Sequence, residues 1–485
     1  MKRLALMLVA VLALTGCAPA APRAPHQDEV GVQLFMWNWN SIAKECTDYL
    51  GPAGIDWVET SPPQEHVTGS EWWIHYQAAS YKLESRLGTK AEYQNMIDTC
   101  KEAGVGIVAD ALVNHMTGRD SGTGWAGSEF TKYEYPGIYT SSDFHHCDNT
   151  SDGQIQDYSD LEQVTNCELV GLADLDTASP KVQKTIVAYL QELLDMGVIG
   201  FRFDAAKHIY SGDLKAIIGQ LPKDTWILQE VIRGGANEPT KPEYYTSWGD
   251  VFEFGITHDY SNMVGSGVMS SLVSETRVEG YVPSASGISF ISNHDTERNG
   301  SSLSWKKNAK KFEIGTAMML ADPYGKAMLY SGYAFTSFDD GPNTDESGRV
   351  LDVQCVDSPS SAIEKYSDGD WICQHRWAST AAMIQFRDVV GDAPMTDTKK
   401  GSGIVGWGRG DRGYIFVNLS KKPYADKPLK TSMAAGTYCD VFSGGPNALK
   451  DGKCAGLEIE VAGDGTISYQ APAGTMFAIH KDSKK

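Results

Sequence analysis

The chain contains no CxxC pair, no excess of positive charge and no repeat with a period of 20 to 50 residues. Without paired cysteines at metal-ligand spacing, a zinc ribbon or finger is excluded. With 42 Lys and Arg against 62 Asp and Glu, a net charge of -20 argues against nucleic acid as a partner and suits a neutral polymer or small molecule. Absence of a repeat removes solenoids and propellers. What remains is ordinary globular composition, 41% hydrophobic and 21% charged, in 485 residues, enough for two or three domains with large cores.

Met1-Lys2-Arg3 and the apolar run Leu4 to Leu14 form an export signal, with a run too short to span a bilayer. Its end, Leu14-Thr15-Gly16-Cys17, resembles a bacterial lipobox. That resemblance implies a signal peptide at 1–16, lipidation of Cys17 and a Pro/Ala tether at 17–29. An ordinary secretory signal cleaved near Ala18-Pro19-Ala20 is the alternative. The expected location is the bacterial cell envelope, as a lipoprotein touching membrane only through its anchor, or the medium after release. Removing Cys17 leaves Cys46, Cys100, Cys147, Cys167, Cys355, Cys373, Cys439 and Cys454, an even set that in an exported protein implies disulfides. Neighbour pairing suits 147 with 167, 355 with 373 and 439 with 454. Cys46 and Cys100 would then join a helix after the first strand to one before the third.

From Val30 onward, apolar strand-like runs alternate with helical patterns, the signature of βα units in a parallel sheet. Eight strands are predicted: Val32 to Trp37, Ile55 to Thr60, Val105 to Val113, Gly200 to Asp204, Trp226 to Val231, Val251 to Gly255, Gly287 to Ser292 and Lys326 to Ser331. Helices include Lys90 to Ala103 and Pro180 to Met196, with Ser179 as N-cap. The predicted architecture is an α/β fold, a (β/α)8 TIM barrel over 30–113 and 175–390. About sixty residues, 114–174, form an irregular insertion after the third strand. Residues 391–485 read as a separate all-β, Greek-key-like sandwich with strands Gly403 to Trp407, Tyr414 to Asn418, Gly436 to Phe442, Thr466 to Tyr469 and Thr475 to His480, and no helical periodicity.

Three of the barrel strands end in acid: Gly200-Phe201-Arg202-Phe203-Asp204, Leu228-Gln229-Glu230 and Phe290-Ile291-Ser292-Asn293-His294-Asp295. In a parallel barrel those ends form the active-site mouth. Three carboxyl groups there suggest glycoside hydrolysis, which in its retaining form needs a nucleophilic carboxylate and a protonated carboxyl. Arg202, two residues before Asp204 on one strand face, can hold that carboxylate ionised.

The blocks Asp110-Ala111-Leu112-Val113-Asn114-His115, Gly200 to His208, Gln229-Glu230-Val231 and Ser292-Asn293-His294-Asp295, in this order, resemble the α-amylase family, glycoside hydrolase family 13, and more closely its animal-type and actinobacterial-type branch. Gly171-Leu172-Ala173-Asp174-Leu175-Asp176 is a fifth block where the family has it. The resemblance implies Asp204 as nucleophile, Glu230 as acid/base and Asp295 as stabiliser of the distorted sugar. It implies sugar contacts by His115, Arg202, Lys207, His208 and His294, and an aromatic platform of Trp72, Trp73 and Tyr76 with Gln77 beside it. It further implies a structural Ca2+ held by Asn114, Asp174 and the backbone carbonyls of Thr165 and His208.

Chloride, bound in animal-type members by Arg202, Asn293 and a basic residue on the eighth strand, is not expected. Met328 stands at the third position; Lys326, two residues earlier on the same strand face, is the candidate substitute. The glycine-rich loop of animal enzymes after the seventh strand is replaced by the shorter Thr296 to Leu303. The expected activity is endo-hydrolysis of α-1,4-glucans such as starch, glycogen and maltodextrins by a monomer. Two alternatives are a glucan transferase using the same covalent intermediate and a non-catalytic glycan-binding lipoprotein.

Overall fold

The computed structural model describes residues 30–274, 276–356, 366–425 and 427–485. The signal, the tether and Cys17 lie outside them. Eight strands, β1 (Val30–Leu34), β2 (Trp57–Thr60), β3 (Gly106–Ala111), β4 (Gly200–Phe203), β5 (Trp226–Gln229), β6 (Asp250–Phe252), β7 (Gly287–Phe290) and β8 (Lys326–Ser331), pair in parallel and in chain order, and β8 closes onto β1. Both faces of each strand are covered, which is why they read as continuous apolar runs. The first strand ends at Leu34, earlier than expected, because Met36 adopts a left-handed φ of 62°. Phe35 to Trp37 therefore belong to the first loop at the barrel mouth.

Helix Lys90–Glu102 opens with a capping box between Thr89 and Glu92, and Pro180–Met196 opens with Pro at its first position. Ser179 stands at the N-cap of the latter but makes no side-chain capping bond. The fifth crossover departs from the expected βα repeat: between β5 and β6 only a single turn, Pro242–Tyr244, is helical. Gly234, Gly235, Pro239 and Pro242 in that segment disfavour anything longer.

The insertion is short-stranded, with a hairpin of Ser121–Thr123 and Glu129–Thr131 and one helix, Leu161–Asn166. Its two ends zip together at the mouth: Met116 N donates to Ala173 O and Leu175 N to Asn114 O, each at 2.9 Å. Four disulfides join Cys46 to Cys100, Cys147 to Cys167, Cys355 to Cys373 and Cys439 to Cys454, the pairing expected from spacing.

After helix Ala378–Val390 the chain forms two antiparallel four-stranded sheets. Tyr414, Phe416, Phe477 and Ile479 of one face Leu429, Ile459, Val461 and Ile467 of the other in a separate core. Strands Met395–Gly401 and Glu458–Val461 were not expected, and the strand expected to run to Phe442 stops at Cys439. There Asp440 caps a short helix, Val441–Gly444, by accepting from the amides of Phe442 and Ser443. Arg409 and Trp407 tie the sandwich to the barrel by donating to the Ala321 carbonyl at 3.0 and 3.3 Å.

Candidate active site

Register decides what meets at the mouth. Asp110 on β3 lies opposite Arg202 on β4. Backbone pairing continues past the strands, with Asp204 N donating to Ala111 O and Glu230 N to Phe203 O, each at 3.1 Å. Asp110, Asp204 and Glu230 thus surround one guanidinium. Arg202 Nη1 donates to Asp110 Oδ1 at 2.9 Å and to Asp204 Oδ1 at 2.5 Å, while Nη2 lies 2.8 Å from Glu230 Oε1. Ala205 turns sharply with φ of 50°, which aims its amide at Glu230 Oε2, 2.9 Å away.

Asp295 sits in the first turn of helix His294–Asn299, capped by Asn293. The His294 ring is stacked between Phe35 and Tyr76, at 4.7 and 5.2 Å between centroids, with Nε2 at 3.3 Å from Asp295 Oδ2. His115 Nε2 bonds the Tyr76 carbonyl at 3.0 Å and lies 4.0 Å from Asp204 Oδ2. Tyr76 Oη donates to Asp110 Oδ2 at 2.9 Å.

Crowding and burial separate these groups by proton affinity. Burial, opposed by Arg202 and reinforced by the charges of Asp204 and Asp295, pushes the Glu230 carboxyl up to about 7. Burial lifts Asp295 to about 6 against the pull of Arg202, and lifts Asp110 well above the usual carboxylate range. Burial holds His115 below its usual value and His294 well below it, so the latter is neutral at pH 7. A carboxyl of raised proton affinity thus shares one cation with a second carboxyl.

The pocket over these groups encloses about 660 Å³, and its lining includes Trp72, Trp73, Tyr76, Gln77, Lys207 and His208 as expected. Their roles differ. Trp72 is only 5% exposed and packs among Phe35, Tyr76, His294 and Phe338, so it belongs to the wall; Trp73 and Tyr76 are half-buried at the pocket. Gln77 accepts through Oε1 from Thr117 Oγ1 at 2.7 Å and Gly118 N at 3.1 Å, fixing the insertion to the platform. Lys207 Nζ pairs with Glu238 Oε2 at 2.5 Å, and His208 bonds the Val164 carbonyl through Nδ1 at 3.0 Å.

Phe338, after β8, was not foreseen. It is 51% exposed at the pocket, and its carbonyl accepts from Trp72 Nε1 and Arg298 Nη1, both at 2.8 Å. Trp73 Nε1 donates to the neighbouring Asp339 at 2.9 Å. Gln33, also unforeseen, lies 3.1 Å from His294 Nδ1 and is paired with Glu59.

The residues expected to hold calcium lie in two pairs, Asn114 with Asp174 and His208 with the helix that carries Thr165. Asn114 Nδ2 lies 3.3 Å from Asp174 Oδ1, and the His208 contact with Val164 draws helix Leu161–Asn166, with Thr165, onto the β4 loop. No backbone amide among the described residues donates to the carbonyls of Thr165 or His208. Asp174 is buried, which pushes its carboxyl up to about 7, and its Oδ2 faces His145 Nδ1 at 2.6 Å. Among the described residues no three His, Cys, Asp or Glu side chains form a metal cluster, and this donor set, an amide, one carboxylate and two free carbonyls, is of the oxygen type that calcium takes. The substitute considered for chloride fails: Lys326 Nζ is engaged by Asp250 Oδ2 at 3.1 Å and the Ala285 carbonyl at 3.0 Å, at the start of β8, the end of the strand remote from the mouth.

A family profile described as "Alpha amylase, catalytic domain" matches residues 46–272, and one described as "Alpha amylase, C-terminal all-beta domain" matches 396–482. A Streptomyces violaceus alpha-amylase is 40% identical over 98% of this chain and 78% of its own length. The chain belongs to the α-amylase family. An "Alpha-amylase-related protein" of Drosophila melanogaster is 35% identical over 94% of both chains. A crystal structure of a mutant alpha-amylase I from Eisenia fetida in complex with maltohexaose superposes with a TM-score of 0.86 at 34% identity, covering 93% of this chain and 97% of that one. The catalytic-domain profile spans Asp204 and Glu230 but stops before Asp295, whose membership of the site rests on the geometry around His294.

Proposed function

We propose that this α-amylase cleaves internal α-1,4-glucosidic bonds of starch, glycogen and maltodextrins with retention of configuration, acting as a monomer. The observation that carries the reading is the single guanidinium of Arg202 bonded to both Asp204 and Glu230. Two carboxyl groups sharing one fork are close neighbours, as a nucleophile and its acid must be, and retention, which needs them about 5–5.5 Å apart, is what the anomeric test below decides.

Asp204 attacks the anomeric carbon while Glu230, still protonated near neutrality, delivers its proton to the departing glycosidic oxygen. A covalent glucosyl–Asp204 ester forms as the aglycone leaves. Glu230, now ionised, takes a proton from water, whose oxygen opens the ester and regenerates Asp204. Arg202 orients the nucleophile through its Nη1 bond to Asp204 Oδ1. Asp295 and the neutral His294 and His115 bond the sugar hydroxyls and favour the flattened ring, Trp73 and Tyr76 stack against glucose faces, and Phe338 offers one more ring at the edge. Lys207 and His208 line the side reached through the β4 loop. Calcium, held by Asn114, Asp174 and the carbonyls of Thr165 and His208, would supply cross-linking charge between the insertion and that loop. It would take no part in bond cleavage. Residues 1–16 direct export and Cys17 carries lipid; intact mass of the cell-derived protein tests this.

Proton NMR of a long maltooligosaccharide in the first minutes after mixing tests the reaction. New α-anomeric ends, lost in Glu230→Gln, support it. Redistribution to longer chains without new ends would instead identify a transferase, and binding without change a capture protein.

A further inference from the structure

Below the catalytic carboxylates lies a polar chain that the hydrolytic steps leave unused. Gln33 on β1 and Glu59 on β2 are register partners, both pointing into the barrel, 3% and 1% exposed. Gln33 Nε2 lies 2.5 Å from Glu59 Oε1 and 3.1 Å from His294 Nδ1, and His294 Nε2 lies 3.3 Å from Asp295 Oδ2. Among the described residues Gln33 Oε1 and Glu59 Oε2 have no hydrogen-bond partner. An amide sandwiched this way is not needed for packing, and leaving a buried amide oxygen unpaired costs free energy that an apolar side chain would avoid.

The chemistry of the chain runs one way. In the structure Gln33 Nε2 donates to Glu59 Oε1, an arrangement that holds with Glu59 ionised or protonated at its other oxygen. The same nitrogen then faces His294, and a donor there obliges Nδ1 to accept. A neutral imidazole with Nδ1 accepting carries its proton on Nε2. We propose that Gln33 and Glu59 are positioning residues that hold His294 as the Nε2–H tautomer, the form able to donate to Asp295 and to a sugar hydroxyl at the cleavage point. Without the relay, the Gln33 oxygen or no group at all would face Nδ1, and the alternative tautomer would turn a lone pair toward the Asp295 carboxylate.

The role rests on the hydrolase reading of the site, but its test does not depend on turnover. Long-range proton–nitrogen NMR of the full chain carrying ¹⁵N-histidine resolves the tautomer, with the His294 signals among eleven histidines assigned by their loss in His294→Gln. Wild type is expected to show Nε2–H. Gln33→Met and Glu59→Met should populate Nδ1–H and lower kcat about tenfold with KM within about twofold, as removal of a tautomer-setting partner does. Glu59→Gln, which retains an acceptor oxygen, should stay near wild type in both readouts. Nδ1–H in wild type would overturn the proposal whatever the variants do, and so would Glu59→Gln behaving like Glu59→Met, since charge and not orientation would then be the cause. Folded Gln33→Met with Nε2–H and unchanged kcat would also overturn it. If Gln33→Met does not fold, the two Glu59 variants decide. An inactive wild type with the Nε2–H form would remove the hydrolase reading and leave the tautomer assignment standing.

Discussion

Two levels of the same barrel have opposite chemistry. Below the mouth Trp57, Val108, Trp226, Leu228, Phe252, Ile288, Phe290 and Met328 form an apolar plug. One pleat repeat further on, Val108 gives way to Asp110 and Leu228 to Glu230, and the mouth holds Asp110, Glu230 and Asp204 around Arg202. Since alternate residues of a strand share a face, a single inward row carries both the plug and the site. The plug makes the barrel stable; the mouth charges it with groups whose burial is unfavourable. Burial raises the proton affinity of Glu59, Asp110, Glu230 and Asp295, so each is harder to ionise there than in water.

If the division is real, the two levels must fail differently. Asp204→Asn should lower kcat roughly 10³-fold or more, because no other group can form the ester, while thermal unfolding stays near wild type. Steady-state assay beside calorimetry checks it; a matching loss of melting temperature would mean that Asp204 is structural. Leu228→Ala should do the reverse. A buried leucine in the plug, replaced, costs about 2–5 kcal/mol by denaturant titration, with kcat nearly unchanged wherever the protein remains folded.

Proton linkage also separates the two. Glu230 has a folded value of about 7 against 4.5 for an unperturbed carboxyl, so its contribution to stability is fully present below about pH 4.5 and is lost as pH rises to about 7. The neutral variant Glu230→Gln escapes that loss. Relative to wild type it should gain on the order of 3 kcal/mol between pH 4.5 and pH 8. Denaturant titrations at the two pH values measure the difference, and a plug substitution such as Leu228→Ala should show none. The same value predicts that kcat/KM falls above about pH 7, as the acid loses its proton.

How much of this could be read in the chain follows the same division. The strands were legible because parallel barrel strands are apolar on both faces, and the three acids because they interrupt those runs. Met36 was not: its left-handed turn, which ends β1 early, has no signature in an apolar stretch. Met395–Gly401 reads as polar loop because it is a half-exposed strand at the edge of its sheet. Asp110 was visible in a motif, but its bond to Arg202 requires the β3–β4 register. Gln33 meets His294 across 261 positions of chain, with Glu59 behind it as the partner of Gln33, and only through closure of the barrel, a relation that spacing does not carry. Phe338 lies in a loop after β8 whose course is fixed by Trp72, Trp73 and Arg298 rather than by its own sequence.

Phe338 also gives the smallest expected effect and the finest test of the comparison. Its ring is half exposed at the rim, whereas its carbonyl is what anchors Trp72 and Arg298. Phe338→Ala removes the ring and keeps the carbonyl, so the wall behind the catalytic groups stays in place. A sugar stacked on that ring would lose about 1–2 kcal/mol, the scale of one exposed aromatic contact. The expected result is a several-fold rise in KM for oligosaccharides long enough to reach the rim, with kcat unchanged and short substrates unaffected. Measuring KM against chain length checks it. A uniform loss at every length would place Phe338 with the wall, as a residue holding Trp72, and move the boundary between support and substrate contact outward by one ring.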